Sequence, residues 1–374
     1  MNKAGIYIHI PYCQKRCIYC DFYFTTNLKL LDGYIESLTK EITLASPNYN
    51  NVEFDTIFFG GGTPSLLSTN QIECILNTLF KEYNISSQSE ISIECNPEDF
   101  NNKKLEKLKQ IEIKRLSLGI QSFIDSELKF LTRAHSVHQA EEVIKKAKDY
   151  FENISVDLIY SLPKQTKNDV AYSLDKLIEF NIPHVSAYTL IFEEKTLLYK
   201  QFMKKIVTPN GDEHEAELYE FVSNKLTSEG FKHYEISNFA KEGYESKHNL
   251  KYWEYDNYLG FGPSSHSFFD TKRWENFRSI QKYKESLENN QLPIAKEDIL
   301  NKNEMISEFI MLALRCNGVK LKKYKRIFEE DFYAKYEKGI NELTKNGYAV
   351  MNAGEFKLNE SGYAIADEII AKYF

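Results

Sequence analysis

Three cysteines fall within eight residues, in the run Cys13-Gln14-Lys15-Arg16-Cys17-Ile18-Tyr19-Cys20. Thiolates hold iron–sulfur clusters and zinc ions, and a short loop folds three of them onto one face of a small inorganic body. With three ligands, a cubane cluster keeps one iron open for the heteroatoms of a small molecule. Lys15 and Arg16 add positive charge that favours the thiolate form. The competing reading is a zinc ion with a fourth ligand elsewhere, for which His9 is the nearest candidate; zinc knuckles, however, usually present paired Cys-x2-Cys units. Spacing leaves both open. The position of the loop, directly after the first strand of a βα series where barrel active sites lie, favours the cluster. Cys74, Cys95 and Cys316 are isolated, and each is expected to be a small buried hydrophobe.

Further groups with chemical potential stand at the ends of apolar runs. Phe59-Gly60-Gly61-Gly62-Thr63-Pro64 carries three glycines, which suit close backbone approach to a ligand or simply a tight turn. Glu94 and Asn96 follow an apolar stretch in IECNPE; a carboxylate there could bind a ribose or an ammonium. Gln121 ends LGIQSF, and Arg133 lies in LTRAH. Asp157 interrupts VDLIYSLP, where an unpaired buried charge costs several kcal/mol (roughly) and a structural ion pair is the plainer explanation.

The elements that must position these groups are read from periodicity. Strands are predicted over Gly5–Ile10, Asp55–Phe59, Glu90–Cys95, Arg115–Gln121, Ile154–Ile159 and His184–Leu190, as short buried runs. Helices are predicted over Leu31–Ala45, Asn70–Tyr83, Lys103–Ile111, His138–Tyr150 and Lys167–Phe180. Alternation of this kind predicts an α/β fold: a partial (β/α)6 TIM-like barrel, with ligands at the strand C-terminal ends. Residues 191–300 show one clear helix, Glu213–Glu229, then an aromatic stretch from Phe231 to Phe277. In the tail, Lys320–Phe328 is basic and amphipathic, and a helix over Phe332–Lys345 stops at Asn346-Gly347. A hairpin follows about Asn352-Ala353-Gly354, then a helix over Asn359–Phe374, giving a mainly helical, winged-helix-like C-terminal domain. The expected division is 1–190 for the barrel with its cysteine loop, 191–300 for a barrel-completing region and 301–374 for the tail domain.

Composition narrows the function classes. The chain has 374 residues, enough for two or three domains, and a net charge of −7, which gives no electrostatic case for a nucleic-acid partner. From Lys320 onward ten Lys or Arg face nine Asp or Glu, so the winged-helix pattern suits protein contact or a lid better than DNA reading. The 25 Tyr and 25 Phe suit a large core before they suit a flat ligand surface. The apolar run after Lys3 is too short for a signal peptide, and no window has the ~18 apolar residues of a membrane span. The expected compartment is the cytoplasm, where clustered cysteines bind metal or act as thiols.

HIPYCQKRCIYCDF resembles the cluster loop of the radical S-adenosylmethionine (SAM) superfamily, more narrowly the family of oxygen-independent coproporphyrinogen III oxidase and its relatives. The resemblance implies a [4Fe–4S] cluster on Cys13, Cys17 and Cys20, with SAM chelated on the open iron. It implies a SAM pocket of Tyr7, Tyr19, Gly61, Gly62, Thr63, Glu94, Gln121, Arg133 and Asp157, with Thr189 a weaker candidate. These positions match the family motifs in order over about the first half of the chain, and the tail domain extends the resemblance to the end.

Two functions divide this family. One is the oxidase, which decarboxylates propionates to vinyl groups. The other is a heme chaperone that hands heme to apo-cytochromes or other heme proteins. Phe22 stands where the oxidase loop carries a further cysteine, and only twelve residues precede Cys13. His248-Asn249-Leu250-Lys251-Tyr252-Trp253 matches the HNxxYW motif of the chaperone group. Heme is therefore the expected third cofactor, with His248, Tyr252, Trp253 and His266 as candidates, since neutral imidazole ligates heme iron and aromatic faces suit a macrocycle. Pro263-Ser264-Ser265 departs from the glycine-rich segment usual before the second histidine. The resemblance also implies an electron donor, a homodimer as one assembly and a peripheral place at the inner membrane beside heme recipients. A zinc-stapled TIM-like hydrolase is the reading from another class.

Overall fold

In the computed structural model, which describes residues 3–374, the first half of the chain lays down a sheet in sequence order. Strands β1 (Lys3–Ile10), β2 (Glu53–Gly61), β3 (Asn84–Cys95), β4 (Arg115–Gln121), β5 (Asn153–Tyr160) and β6 (His184–Thr189) pair as consecutive parallel neighbours. Helices α1 (Leu31–Ala45), α2 (Thr69–Glu82), α3 (Asn102–Gln110), α4 (Asp125–Phe130), α5 (Val137–Lys148) and α6 (Lys167–Glu179) fill the crossovers. Three begin with reciprocal capping boxes, Ser68 with Gln71, Ser136 with Gln139 and Thr166 with Asp169, which satisfy the backbone donors of the first turn and fix where each helix starts.

Each barrel strand alternates. Ile6, Ile8, Ile57, Phe59, Ile91, Ile93, Leu116, Leu118, Val156 and Val185 join one apolar core with the helices. The intervening residues face the lumen, and most are polar or small: Thr56, Ser92, Glu94, Ser117, Gly119, Ser155, Asp157, His184 and Ser186, with Phe58 and Ile159 as apolar exceptions. Parallel strands buried on both faces usually read as unbroken apolar runs; here the period-2 alternation marks a polar interior.

The region expected to hold a single clear helix is built of short elements. It contains α7 (Leu197–Met203), α8 (Asp212–Ser228), β7 (Lys232–Glu235), β8 (Asn238–Ala240), α9 (Lys247–Trp253), β9 (Tyr258–Phe261), β10 (His266–Phe269), β11 (Lys272–Asn276), α10 (Ile280–Glu288) and β12 (Ile294–Ile299). Most span three to seven residues, too few for a period to show in sequence. β9 pairs parallel with β1, and β10, β11 and β12 continue antiparallel; on the far side β8 and β7 extend from β6.

The tail forms a second core around Ile306, Phe309, Tyr324, Phe332, Phe356 and Ile369. It comprises α11 (Lys302–Leu314), β13 (Val319–Lys320), α12 (Leu321–Phe328), α13 (Phe332–Lys345), β14 (Ala349–Met351), β15 (Glu355–Leu358), α14 (Glu360–Tyr363) and α15 (Ala366–Tyr373), with the hairpin joined by β13 in a three-stranded sheet. The single terminal helix expected over Asn359–Phe374 is broken: Ile365 leaves the helical region at φ −126°, ψ 30°.

Candidate functional site

The C-terminal ends of the barrel strands surround a cavity of about 410 Å³. Cys13, Cys17 and Cys20 line it together with Tyr19, Gly61, Gly62, Thr63, Glu94, Gln121, Arg133, Asp157 and Thr189. Of the expected SAM-pocket residues only Tyr7 is off this wall; its ring lies beneath Gly60.

The loop reaches the cavity through backbone bonds. Cys13 N–H donates to the Thr25 carbonyl (3.0 Å), and Gly62 and Thr63 N–H donate to the Ile10 and Tyr12 carbonyls (2.8 Å each). Gly62 permits this approach, since a Cβ there would stand 2.7 Å from the Tyr12 oxygen. Gly61 sits at φ +110° against the His9 ring. Side chains then join the cysteines to the strand ends. Thr63 Oγ1 donates to Cys13 Sγ (3.4 Å) and accepts from Asn96 Nδ2 (3.3 Å). Arg133 donates to Asn96 Oδ1 (2.6 Å), the Gly119 carbonyl (2.7 Å) and Cys17 Sγ (3.5 Å). Its buried Nε has no protein partner. Burial pushes the Cys13 thiol up to about 11 and the Cys20 thiol up to about 12, so both are neutral unless a cationic centre takes their protons' place.

Opposite the thiols lie two buried carboxyls. Glu94 accepts from Gly61 N–H (3.0 Å), and Asp157 accepts from the Ser117 hydroxyl (3.1 Å). Burial, then the Asp157 charge, raises Glu94 to about 8; burial raises Asp157 to about 6 against the hydroxyls of Ser186 and Ser117. Two acids in a dry cavity, neither paired with a cation at close range, are a receptacle for a cationic ligand that also offers hydroxyl donors. Gln121, at the end of β4, has φ +72° beside a break in the β4–β5 register; the bulge turns the chain there into the cavity.

By chemistry these donors suit a cubane cluster and a SAM-sized ligand. Among the described residues no three His, Cys, Asp or Glu side chains converge as the ligands of a single ion do. A cubane takes one thiolate per iron and asks for less convergence. His9, the fourth ligand of the zinc alternative, has both ring nitrogens engaged, by the Tyr7 hydroxyl (3.1 Å) and the Tyr23 carbonyl (3.2 Å).

The heme candidates are not brought together. α9 plugs the opposite, N-terminal end of the barrel. His248 is 0% exposed, with Nδ1 2.8 Å from Thr56 Oγ1, Nε2 2.8 Å from the Tyr252 hydroxyl and its ring stacked on Phe58. Burial holds it neutral, near 3, and neither nitrogen is free for a metal. Lys251 pairs with Asp55 (2.6 Å), and Lys247 N–H donates to Glu90 (3.0 Å). Trp253 faces the tail beside Phe309 and Cys316. His266 is different: its side chain is 64% exposed on β10, whose N-terminal end shares the barrel mouth.

Sequence reasoning passed over Gly119, Tyr188, Ser117 and Ser186. The available signal was register: each sits at the lumen-facing parity of its strand. Cys74, expected to be buried, is exposed on the outer face of α2, while Cys95 and Cys316 are buried as expected. No helix of the described residues is long and apolar enough to cross a membrane.

Residues 7–177 match the model of the radical SAM superfamily, and residues 300–365 match that of the HemN C-terminal domain. The heme chaperone HemW of Lactococcus lactis is 32% identical over 98% of this chain and 96% of its own length. That of Bacillus subtilis is 33% identical over 98% of both. The solved structure of coproporphyrinogen III oxidase (HemN) from Escherichia coli, at 20% identity, covers 99% of this chain and 89% of its own with a TM-score of 0.84, a likeness of fold.

Proposed function

We propose that this chain, which belongs to the family of the heme chaperone HemW within the radical SAM superfamily, binds heme and delivers it to apo-hemoproteins such as cytochromes. The observation that carries the reading is the shared wall of the mouth cavity, where three thiols of one loop face two buried carboxyls. Cys13, Cys17 and Cys20 would hold a [4Fe–4S] cluster, and the cavity beside it would take SAM. When bound, the pair supplies the superfamily's radical or redox chemistry. The chain's own contribution is orientation and exclusion of water. Thr63 and Arg133 donate to the cysteine sulfurs, Glu94 and Asp157 receive the cationic and hydroxyl groups of SAM, and Arg133 ties the loop to β4 through Gly119.

Heme is assigned to the rim of the mouth. Of eight histidines, His266 combines an accessible imidazole with a place at the barrel mouth; His138, also exposed, lies on α5. Phe22 is 67% exposed and Ile191 63% exposed on the cavity's edge, apolar surface for a macrocycle. Arg278, stacked over Tyr23 at 5.5 Å, and Lys15 offer cations to carboxylate side arms. Phe22 also separates this chain from the oxidase alternative, because the position carries no fourth loop thiol.

The test is heme titration of anaerobically reconstituted protein, followed by a coproporphyrinogen decarboxylation assay on the same preparation. A Soret band that saturates near one heme per chain and weakens in His266→Ala, without decarboxylation, supports the reading. SAM-dependent decarboxylation would replace it with the oxidase.

A further inference from the structure

The HNxxYW helix α9 lies at the floor of the barrel, remote from the rim assigned to heme, and its N-terminal end begins a line of buried hydrogen bonds that leads back to the mouth. Ser246 N–H, just before α9, reaches the Tyr234 hydroxyl (3.3 Å). That hydroxyl stands 2.8 Å from His184 Nε2, and His184 Nδ1 stands 2.7 Å from Ser155 Oγ. Ser155 Oγ is 3.5 Å from Ser186 Oγ, and Ser186 stands opposite Asp157 in the β5–β6 register, where its hydroxyl favours the ionised carboxyl. All four intermediate side chains are at most 4% exposed.

With Asp157 ionised and His184 held neutral by burial, the carboxylate end of the line fixes the direction of each proton. A backbone N–H only donates and a carboxylate only accepts. Tyr234 therefore donates to His184 Nε2, His184 Nδ1–H donates to Ser155, Ser155 donates to Ser186, and Ser186 donates to Asp157. Each member accepts from the floor side and donates toward the mouth, so the dipoles add at one carboxylate. A protonated Asp157 would offer this line only its carbonyl oxygen, a weaker acceptor than the carboxylate.

We infer that the backbone N–H at the N-cap of α9, through Tyr234, His184, Ser155 and Ser186, positions Asp157 as an aimed, ionised carboxylate in the SAM cavity; these four are positioning residues. The inference rests on the SAM reading proposed above. Asp157 is also faced by Glu94 from β3, by Ser117 and Arg115 from β4, by Arg133 from the turn after α4 and by Tyr188 from β6. Glu94 opposes its ionisation and the two arginines favour it; the relay is the contribution on the β6 side.

The experiment measures SAM binding by equilibrium dialysis on cluster-loaded protein across pH 5.5 to 8.5 (roughly the range bracketing buried carboxyls), with iron and sulfide content and heme titration on the same samples. Tyr234→Phe and Ser186→Ala each delete one relay hydroxyl. Tyr83→Phe, which removes a buried hydroxyl donating to the Ile42 carbonyl outside the line, is the control for packing and stability. The relay variants are expected to weaken SAM binding about 3- to 10-fold, the worth of one buried hydrogen bond. They are also expected to move the acid limb of binding to higher pH, leaving cluster and heme binding unchanged. Tyr83→Phe should lower the melting temperature without either effect. Relay variants whose SAM affinity and acid limb stay within about twofold of wild type, or a control that shifts them equally, overturn the relay alone. Wild-type protein that holds its cluster and fails to bind SAM overturns the SAM reading and the relay together.

Discussion

Arg133 Nη1 stands 3.5 Å from Cys17 Sγ while Nη2 stands 2.6 Å from Asn96 Oδ1, so one guanidinium couples the cysteine loop to the end of the third barrel strand. The fork does this with planar, divergent donors. Arg133→Lys keeps the charge and loses the fork. We expect at least a twofold fall in reconstituted iron and sulfide per chain, on the order of one lost charge-assisted hydrogen bond, with the far-ultraviolet spectrum unchanged. Iron content equal to wild type would show that the loop docks without this link.

Glu94 titrates in the folded chain at about 8, above its ordinary carboxyl value, because it is buried beside Asp157. A raised folded value means that the folded state holds a proton the unfolded state releases. Stability from this group is present below the unfolded value and is lost as pH rises from about 4.5 through about 8. Without ligand, the wild-type melting temperature should therefore fall over this range. Glu94→Gln should flatten that slope and melt higher than wild type at pH 8 (roughly the folded value), while abolishing SAM binding. Calorimetry across the range checks it, and an unaltered slope in the variant would refute the assignment.

Gly62 leaves no room for a side chain: an added Cβ meets two backbone atoms of Tyr12 and the Ile10 carbonyl within 3 Å. Gly62→Ala should push the glycine turn away from the cysteine loop and break the Thr63 bond to Cys13. The expected result is loss of most reconstituted iron at modest cost in stability, about 1–3 kcal/mol by urea unfolding. Full cluster occupancy in this variant would show that the turn is not the loop's seat.

His248 and His266 should separate cleanly. His248→Ala removes a buried ring and two hydrogen bonds at the barrel floor, at a cost of about 2–5 kcal/mol. It should lower the melting temperature while the folded protein still takes up heme. His266→Ala should leave stability within about 0.5 kcal/mol and weaken heme binding. The opposite pattern in heme titrations would return the ligand to the floor helix.

The parallel strands were legible because β-branched and aromatic residues crowd into short runs; Arg115–Gln121 was bounded end to end. The cavity wall was legible for a related reason, since catalytic and binding groups of such barrels sit at strand ends. What escaped was tertiary. Nothing local to the HNxxYW segment announces Thr56, the partner of His248 192 positions earlier in the chain. The elements β7 to β12 are too short for periodicity, and β9 adds to β1 only because a distant segment returns to the sheet edge. The serines of the lumen carry no local signal as single residues; only their common parity across neighbouring strands marks the face that lines the barrel interior.

The most direct measurement is iron and sulfide analysis of oxygen-free, reconstituted protein, with electron paramagnetic resonance of the reduced cluster before and after SAM is added. The account requires about four irons and four sulfides per chain, the composition of one cubane, a spectrum that changes with SAM, and loss of both in Cys17→Ala. Colourless protein that retains zinc, or a cluster whose spectrum ignores SAM, would contradict it.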